Sequence, residues 1–103
     1  MSFKVSLTRE ALQDLERLET FLVELALEHG DFHLPLRAVE AIEREMRILQ
    51  TNPYTCRKVG DNPLERELVM PFGASGYVAL FEIISEHEVV VSAIRHQRED
   101  DYH

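Results

Sequence analysis

The chain has 103 residues, with 19 acidic and 11 basic side chains and a formal net charge of −8. That length suits one domain, and 45% apolar with 29% charged residues is globular composition, not that of a disordered or collagenous chain. The acidic balance argues against general nucleic-acid binding, which draws most of its affinity from phosphate neutralisation. The deficit is even between the halves, with six basic and ten acidic groups in residues 1–50 and five and nine in 51–103, so no basic arm or acidic tail separates as a module.

In chain order, Phe3, Val5 and Leu7 alternate with Lys4 and Ser6, the period-2 pattern of a half-buried strand. Thr8 offers a hydroxyl N-cap to the next segment, where Ala11, Leu15, Leu18, Leu22 and Leu25 step by four, three, four and three. Leu12, Phe21 and Ala26 widen this stripe into the apolar face of an amphipathic helix, which His29-Gly30 ends because Gly readily takes the left-handed conformation. A second helix follows, opened either by Asp31 as a cap or by Pro35 in its first turn. Its apolar face reads Leu36, Val39, Ile42, Met46 and Leu49, with Glu40–Arg44 and Glu43–Arg47 spaced as exposed i, i+4 pairs, and Thr51-Asn52-Pro53 stops it.

After a polar stretch from Tyr54 to Pro63 the period returns to two, with Leu64, Arg66, Leu68 and Met70 on one side and Glu65, Glu67 and Val69 on the other. Gly73-Ala74-Ser75-Gly76 is a turn signal. Tyr77 to Ile84 reads as a central strand, Ser85 to Glu88 as a tight connection and Val89 to Ile94 as a β-branched strand, followed by a polar tail. The order is β-α-α-β-β-β. It predicts an α+β domain in which an antiparallel sheet, its last three strands a meander, carries the α-helical hairpin on one face.

Cys56 is the only cysteine, so no intrachain disulfide forms and a reducing compartment is expected. The N-terminus has no signal-peptide pattern, and no window approaches the roughly 18 apolar residues of a membrane span. A cytoplasmic protein without membrane contact is the expectation. His29 and His33 have the spacing of a helical metal pair, but Gly30 and Pro35 break that register, so neither a metal nor a cofactor is expected. Arg57 and Lys58 would lower the Cys56 thiol pKa, yet no partnering base is placed by sequence, and a passive loop residue is the reading. The leucine stripe covers about two heptads, short of a coiled coil, so core packing is its default use.

In this order and spacing the chain resembles the RelE/ParE superfamily of bacterial toxins. The resemblance is carried by the Ala11-to-Leu25 helix after Thr8, Leu49-Gln50-Thr51-Asn52-Pro53, Arg66-Glu67-Leu68 and Gly76-Tyr77-Val78-Ala79-Leu80-Phe81-Glu82-Ile83. Above all it is carried by Val91-Ser92-Ala93-Ile94 running into Arg95-His96-Gln97-Arg98-Glu99. It spans essentially the whole chain as one toxin domain, residues 1–103. It implies the toxin of a type II toxin–antitoxin system, neutralised by a cognate antitoxin that wraps an extended or helical segment around it. RelE-like members cleave messenger RNA on the ribosome; ParE-like members poison DNA gyrase.

Here the resemblance favours the ParE-like branch. RelE-like sequences often place Arg directly after the Gly-Tyr of the central strand, where this chain has Val78, and the usual basic concentration is missing. A protein of charge −8 is repelled by ribosomal phosphates over a Debye length of about 8–10 Å. No catalytic residue is assigned firmly; as a nuclease the chain would use His96, Arg98, Tyr102 and Arg66 for acid, base and charge stabilisation. Arg66, Arg95, His96, Arg98 and Tyr102 are the target-binding candidates, against a plainer role in anchoring the end of the last strand. Leu18, Phe21, Leu22, Met46 and Tyr77 are the antitoxin-binding candidates. The acidic charge further predicts an antitoxin contact that is chiefly apolar, or an antitoxin segment that is neutral to basic. The third reading is a member without toxicity that acts as a binding module.

Overall fold

The computed structural model describes residues 2–98. Five strands form one sheet in the order β1-β5-β4-β3-β2: β1 (Lys4–Leu7), β2 (Arg57–Lys58), β3 (Glu65–Phe72), β4 (Ser75–Ser85) and β5 (Glu88–His96). Two helices, α1 (Arg9–His29) and α2 (Leu34–Met46), lie between β1 and β2 in sequence. The β3-β4-β5 meander is antiparallel as expected. The sheet as a whole is mixed, because β1 runs parallel to β5, with Lys4 opposite Glu88 and Leu7 opposite Val91. The helical hairpin returns the chain across the sheet, so its first strand covers the edge left open by the last. The polar stretch read as loop contains β2, two residues that pair with Glu67 and Arg66 of β3.

The cap residues act as anticipated. Thr8 Oγ1 accepts the Ala11 N–H at 3.2 Å, and Gly30, at φ 76°, donates its N–H to Ala26 O at 2.8 Å. Thr8 also joins α1 to the sheet: its N–H donates to Val91 O (2.9 Å) and its hydroxyl to Ser92 O (3.2 Å). One turn further, the buried Asp14 accepts the Ile94 N–H at 2.8 Å. β1 ends at Leu7, and α1 takes over its task of satisfying the β5 edge with side chains. A buried backbone donor left unpaired would be costly.

The core lies between the helices and one sheet face. Phe81, Met70, Ile83, Val89, Val91 and Ile94 pack there with Leu18, Leu22, Ile42 and Leu49. Between the Leu80–Ala93 and Phe81–Val91 pairings the register shifts by one residue at Ser92, so Val91 and Ile94 both enter this core. Three helix positions depart from the periodic reading. Leu12 (51% exposed) and Phe21 (55%) do not widen the buried face of α1, and Leu36 (59%) points away from the core of α2. Ala38 and Ala41 are buried instead, because small residues let the α2 backbone approach its neighbours closely. His33, not Asp31, holds the N-cap position of α2, with Pro35 in the first turn. Asp31 grips Arg37 with two hydrogen bonds, of 2.6 and 3.3 Å. On the α2 surface Arg44 approaches Glu45 (3.8 Å) in place of the anticipated Glu40.

A candidate protein-binding groove

The two sides of the β3–β4 hairpin approach one another unusually closely. Gly73 and Ala74 form a two-residue turn between the paired Phe72 and Ser75, with Gly73 at φ 61°, the conformation required at the first central position of a type II′ turn. The turn is thus shorter than the four-residue signal, since Ser75 and Gly76 already belong to β4. Gly76 is fixed by proximity: a Cβ there would collide with Met70 O across the hairpin.

This hairpin tip and α1 enclose a groove of about 690 Å³. Its α1 wall is Leu18, Phe21, Leu22 and Leu25, Leu34 closes one side, and Phe72 and Tyr77 form the sheet wall. Arg17, His96 and Arg98 stand among these apolar groups. The Tyr77 ring packs between Phe72 (6.2 Å between centroids) and the edge-on ring of His96 (5.6 Å), and burial pushes its phenol pKa up. Four of the five antitoxin-binding candidates, Leu18, Phe21, Leu22 and Tyr77, therefore line one site. The fifth, Met46, lies apart in a smaller cleft with Val5, Leu7, Leu15, Val39 and Ile42.

His96 and Ser75 resemble a nucleophile pair, with Nε2 and Oγ 3.0 Å apart, and which of the two donates depends on the tautomer of the ring. In a neutral ring whose Nδ1 accepts the Arg98 N–H (3.1 Å), the proton is on Nε2, facing Ser75. That tautomer cannot take the serine proton. The contact ties the end of β5 to the start of β4, which the Gln97 N–H bond to Gly76 O (2.9 Å) continues.

The remaining cationic candidates do not join this groove. Arg66 donates to Pro63 O (2.9 Å), Tyr54 O (2.7 Å) and Cys56 O (3.0 Å), and its guanidinium lies over the Tyr54 ring. It pairs with Phe81, four residues along β4 from Tyr77, a separation of about 13 Å at the rise of an extended strand. Arg95 belongs to the sheet face away from the core cluster, directly across from Val78. Its guanidinium lies 3.9 Å from Glu67, which also accepts from Arg57 Nε at 2.8 Å, and donates to the carbonyls of His96 and Gln97. Val78 itself is 2% exposed, so the position where RelE-like chains often carry Arg is here filled with buried aliphatic surface. Glu99 and Tyr102 lie outside the described residues.

Burial pushes the Cys56 thiol pKa up; the cation that opposes this is Arg66 and not its sequence neighbours Arg57 and Lys58. His29 ends α1 and His33 precedes α2, with the left-handed Gly30 between them. Among the described residues no three His, Cys, Asp or Glu side chains gather as a metal site. Sequence reasoning missed Ser75, Phe72, Arg17 and Asp14. Ser75 falls inside the Gly73-to-Gly76 turn signal, and nothing in the periodicity of α1 distinguishes Asp14 from its exposed acidic neighbours.

A family model described as ParE toxin of type II toxin–antitoxin system, parDE, matches residues 5–101, and the chain belongs to this family. It is a ParE-like toxin. Its fold is similar to that of a solved chain from the "Chromosomal ParDE TA system from P. aeruginosa", with a TM-score of 0.71 and 22% identity over 92% of this chain and 96% of that one. No curated protein matches the chain significantly. Among the described residues no helix is long and apolar enough to cross a membrane.

Proposed function

We propose that this toxin acts in the cytoplasm on DNA gyrase, the role known for its family, and is held inactive by a cognate antitoxin seated in the groove between α1 and the β3–β4 hairpin. The groove carries the antitoxin half of this reading. Its walls offer seven large apolar or aromatic side chains to a partner segment, and such pockets, filled by apolar anchors, dominate interface energetics. A chiefly apolar antitoxin contact fits this lining, and an occupant of the groove would cover His96 and Arg98 as well.

The engagement of the charged candidates supports gyrase over messenger RNA as target. Ribonuclease chemistry needs a base, an acid and a cation around one phosphate; of the described nuclease candidates His96 and Arg98 share the groove, whereas Arg66 is bound to three carbonyls about 13 Å along the strand from the histidine.

The test is inhibition of ATP-dependent supercoiling of relaxed plasmid by purified gyrase, with the antitoxin restoring activity. Unimpaired supercoiling at micromolar toxin excess overturns the gyrase reading. Phe21→Glu, at an exposed position of the groove, should abolish antitoxin neutralisation while leaving gyrase inhibition in place, with circular dichroism matching the native chain.

A further inference from the structure

The acidic charge is even between the two halves of the chain but not between its structural layers. Residues 9–46, which make up the helical hairpin, carry ten acidic and four basic side chains, whereas residues 47–98, which contain β2 to β5, carry six of each. All of the described excess of negative charge belongs to the helical layer.

That layer also exposes apolar groups. Leu12, Glu16, Glu19, Val23 and Leu27 succeed one another on α1 by four, three, four and four residues, a second helical stripe beside the core stripe. All five are exposed, Leu12 by 51%, Val23 by 42% and Leu27 by 69%, and none lines the groove. A helix face that is merely solvated has no need of three large aliphatic residues flanking its glutamates. The opposite arrangement, apolar anchors among charges of one sign, is how protein interfaces combine affinity with electrostatic steering.

We propose that this α1 stripe is the target-contacting face of the toxin and that it docks on a lysine- and arginine-rich surface of the target protein. Charge selects this occupant. A second copy of the chain would bring two acidic layers together, and nucleic acid or an anionic membrane would be repelled in the same way. A basic protein surface is attracted, and the aliphatic residues supply burial once it arrives. The surface is distinct from the groove, so antitoxin and target would use different sides of the same helix. The identity of gyrase as that target rests on the function proposed above; the location of the face does not.

The test compares two double reversals of equal charge change, Glu16→Lys/Glu19→Lys on the stripe and Asp61→Lys/Glu86→Lys in the sheet portion, all at exposed positions. Two readouts are used, growth arrest on induction and inhibition of purified gyrase, with antitoxin binding as the check on folding. The stripe reversal should weaken both by about tenfold or more, the control should stay within about twofold, and Val23→Gln/Leu27→Gln should follow the stripe reversal. Equal effects of the two reversals, or none, overturn the proposal. A dimer in sedimentation that Val23→Gln/Leu27→Gln dissociates overturns it in favour of a second copy. Growth arrest by the native chain without gyrase inhibition defeats the gyrase reading alone, since the growth comparison still decides the stripe. A native chain that arrests nothing overturns both.

Discussion

The two layers of this toxin divide its chemistry. In the sheet layer charges are matched and tied down: Arg57 and Arg95 meet Glu67, Arg66 holds three carbonyls, and the buried residues are large aliphatics around Phe81. In the helical layer charges are in acidic excess and exposed, and several large apolar residues stand in solvent beside them. The inward side of each layer builds the fold, while the outer side of the helical layer is available to partners. A net charge of −8 therefore describes neither surface; a partner meets a local charge.

This contrast can be broken at graded strengths. Phe81→Ala, at a fully buried site on β4, should cost about 3–5 kcal/mol through lost burial and the cavity left behind, read from denaturant unfolding. Asp14→Ala removes the acceptor of the Ile94 N–H and should cost about 1–3 kcal/mol, with Asp14→Asn recovering much of it because an amide oxygen still accepts. That outcome would mark Asp14 as a piece of sheet edge carried by a helix. Leu27→Gln, as large a change in polarity on the exposed stripe, should alter stability by no more than about 0.5 kcal/mol.

The smallest effect is a pH dependence. The Arg37 hydrogen bond holds the Asp31 pKa below its ordinary value in the folded chain. A lowered folded pKa means stability that is present above the unfolded value, about 3.9, and is lost as pH falls through the folded one. Unfolding curves of the native chain and Arg37→Gln should therefore differ slightly at neutral pH and converge in acid. A difference that persists in strong acid would assign the effect to something other than this exposed pair.

Much of the architecture was legible in local pattern. Thr8 and Gly30 bound α1 because a hydroxyl acceptor and a left-handed residue are rare local necessities. The alternation through Leu68 and Met70 marked the core side of β3 for an equally local reason. The site was less legible. Leu18, Leu22 and Tyr77 came from apolar position and family resemblance, and Phe21 does line the groove, but from an exposed position and not as part of the core. Ser75 and Phe72 join it only through the tight hairpin turn, and Met46 falls into another cleft. The cationic candidates could not be sorted, because whether an arginine faces a ligand or three backbone carbonyls depends on residues far away in sequence.

The sequence by itself determined the main order of elements, both ends of α1, most of the core positions and the family, since each follows from spacing or from motifs read along the chain. The tertiary structure alone decided that β1 runs parallel beside β5, that Asp14 completes that edge, and that His96 meets Ser75. It also stacked the acidic segment 9–46 as a helical layer over a sheet portion whose charges balance. Charges act through space, and only folding sets which of them share a face.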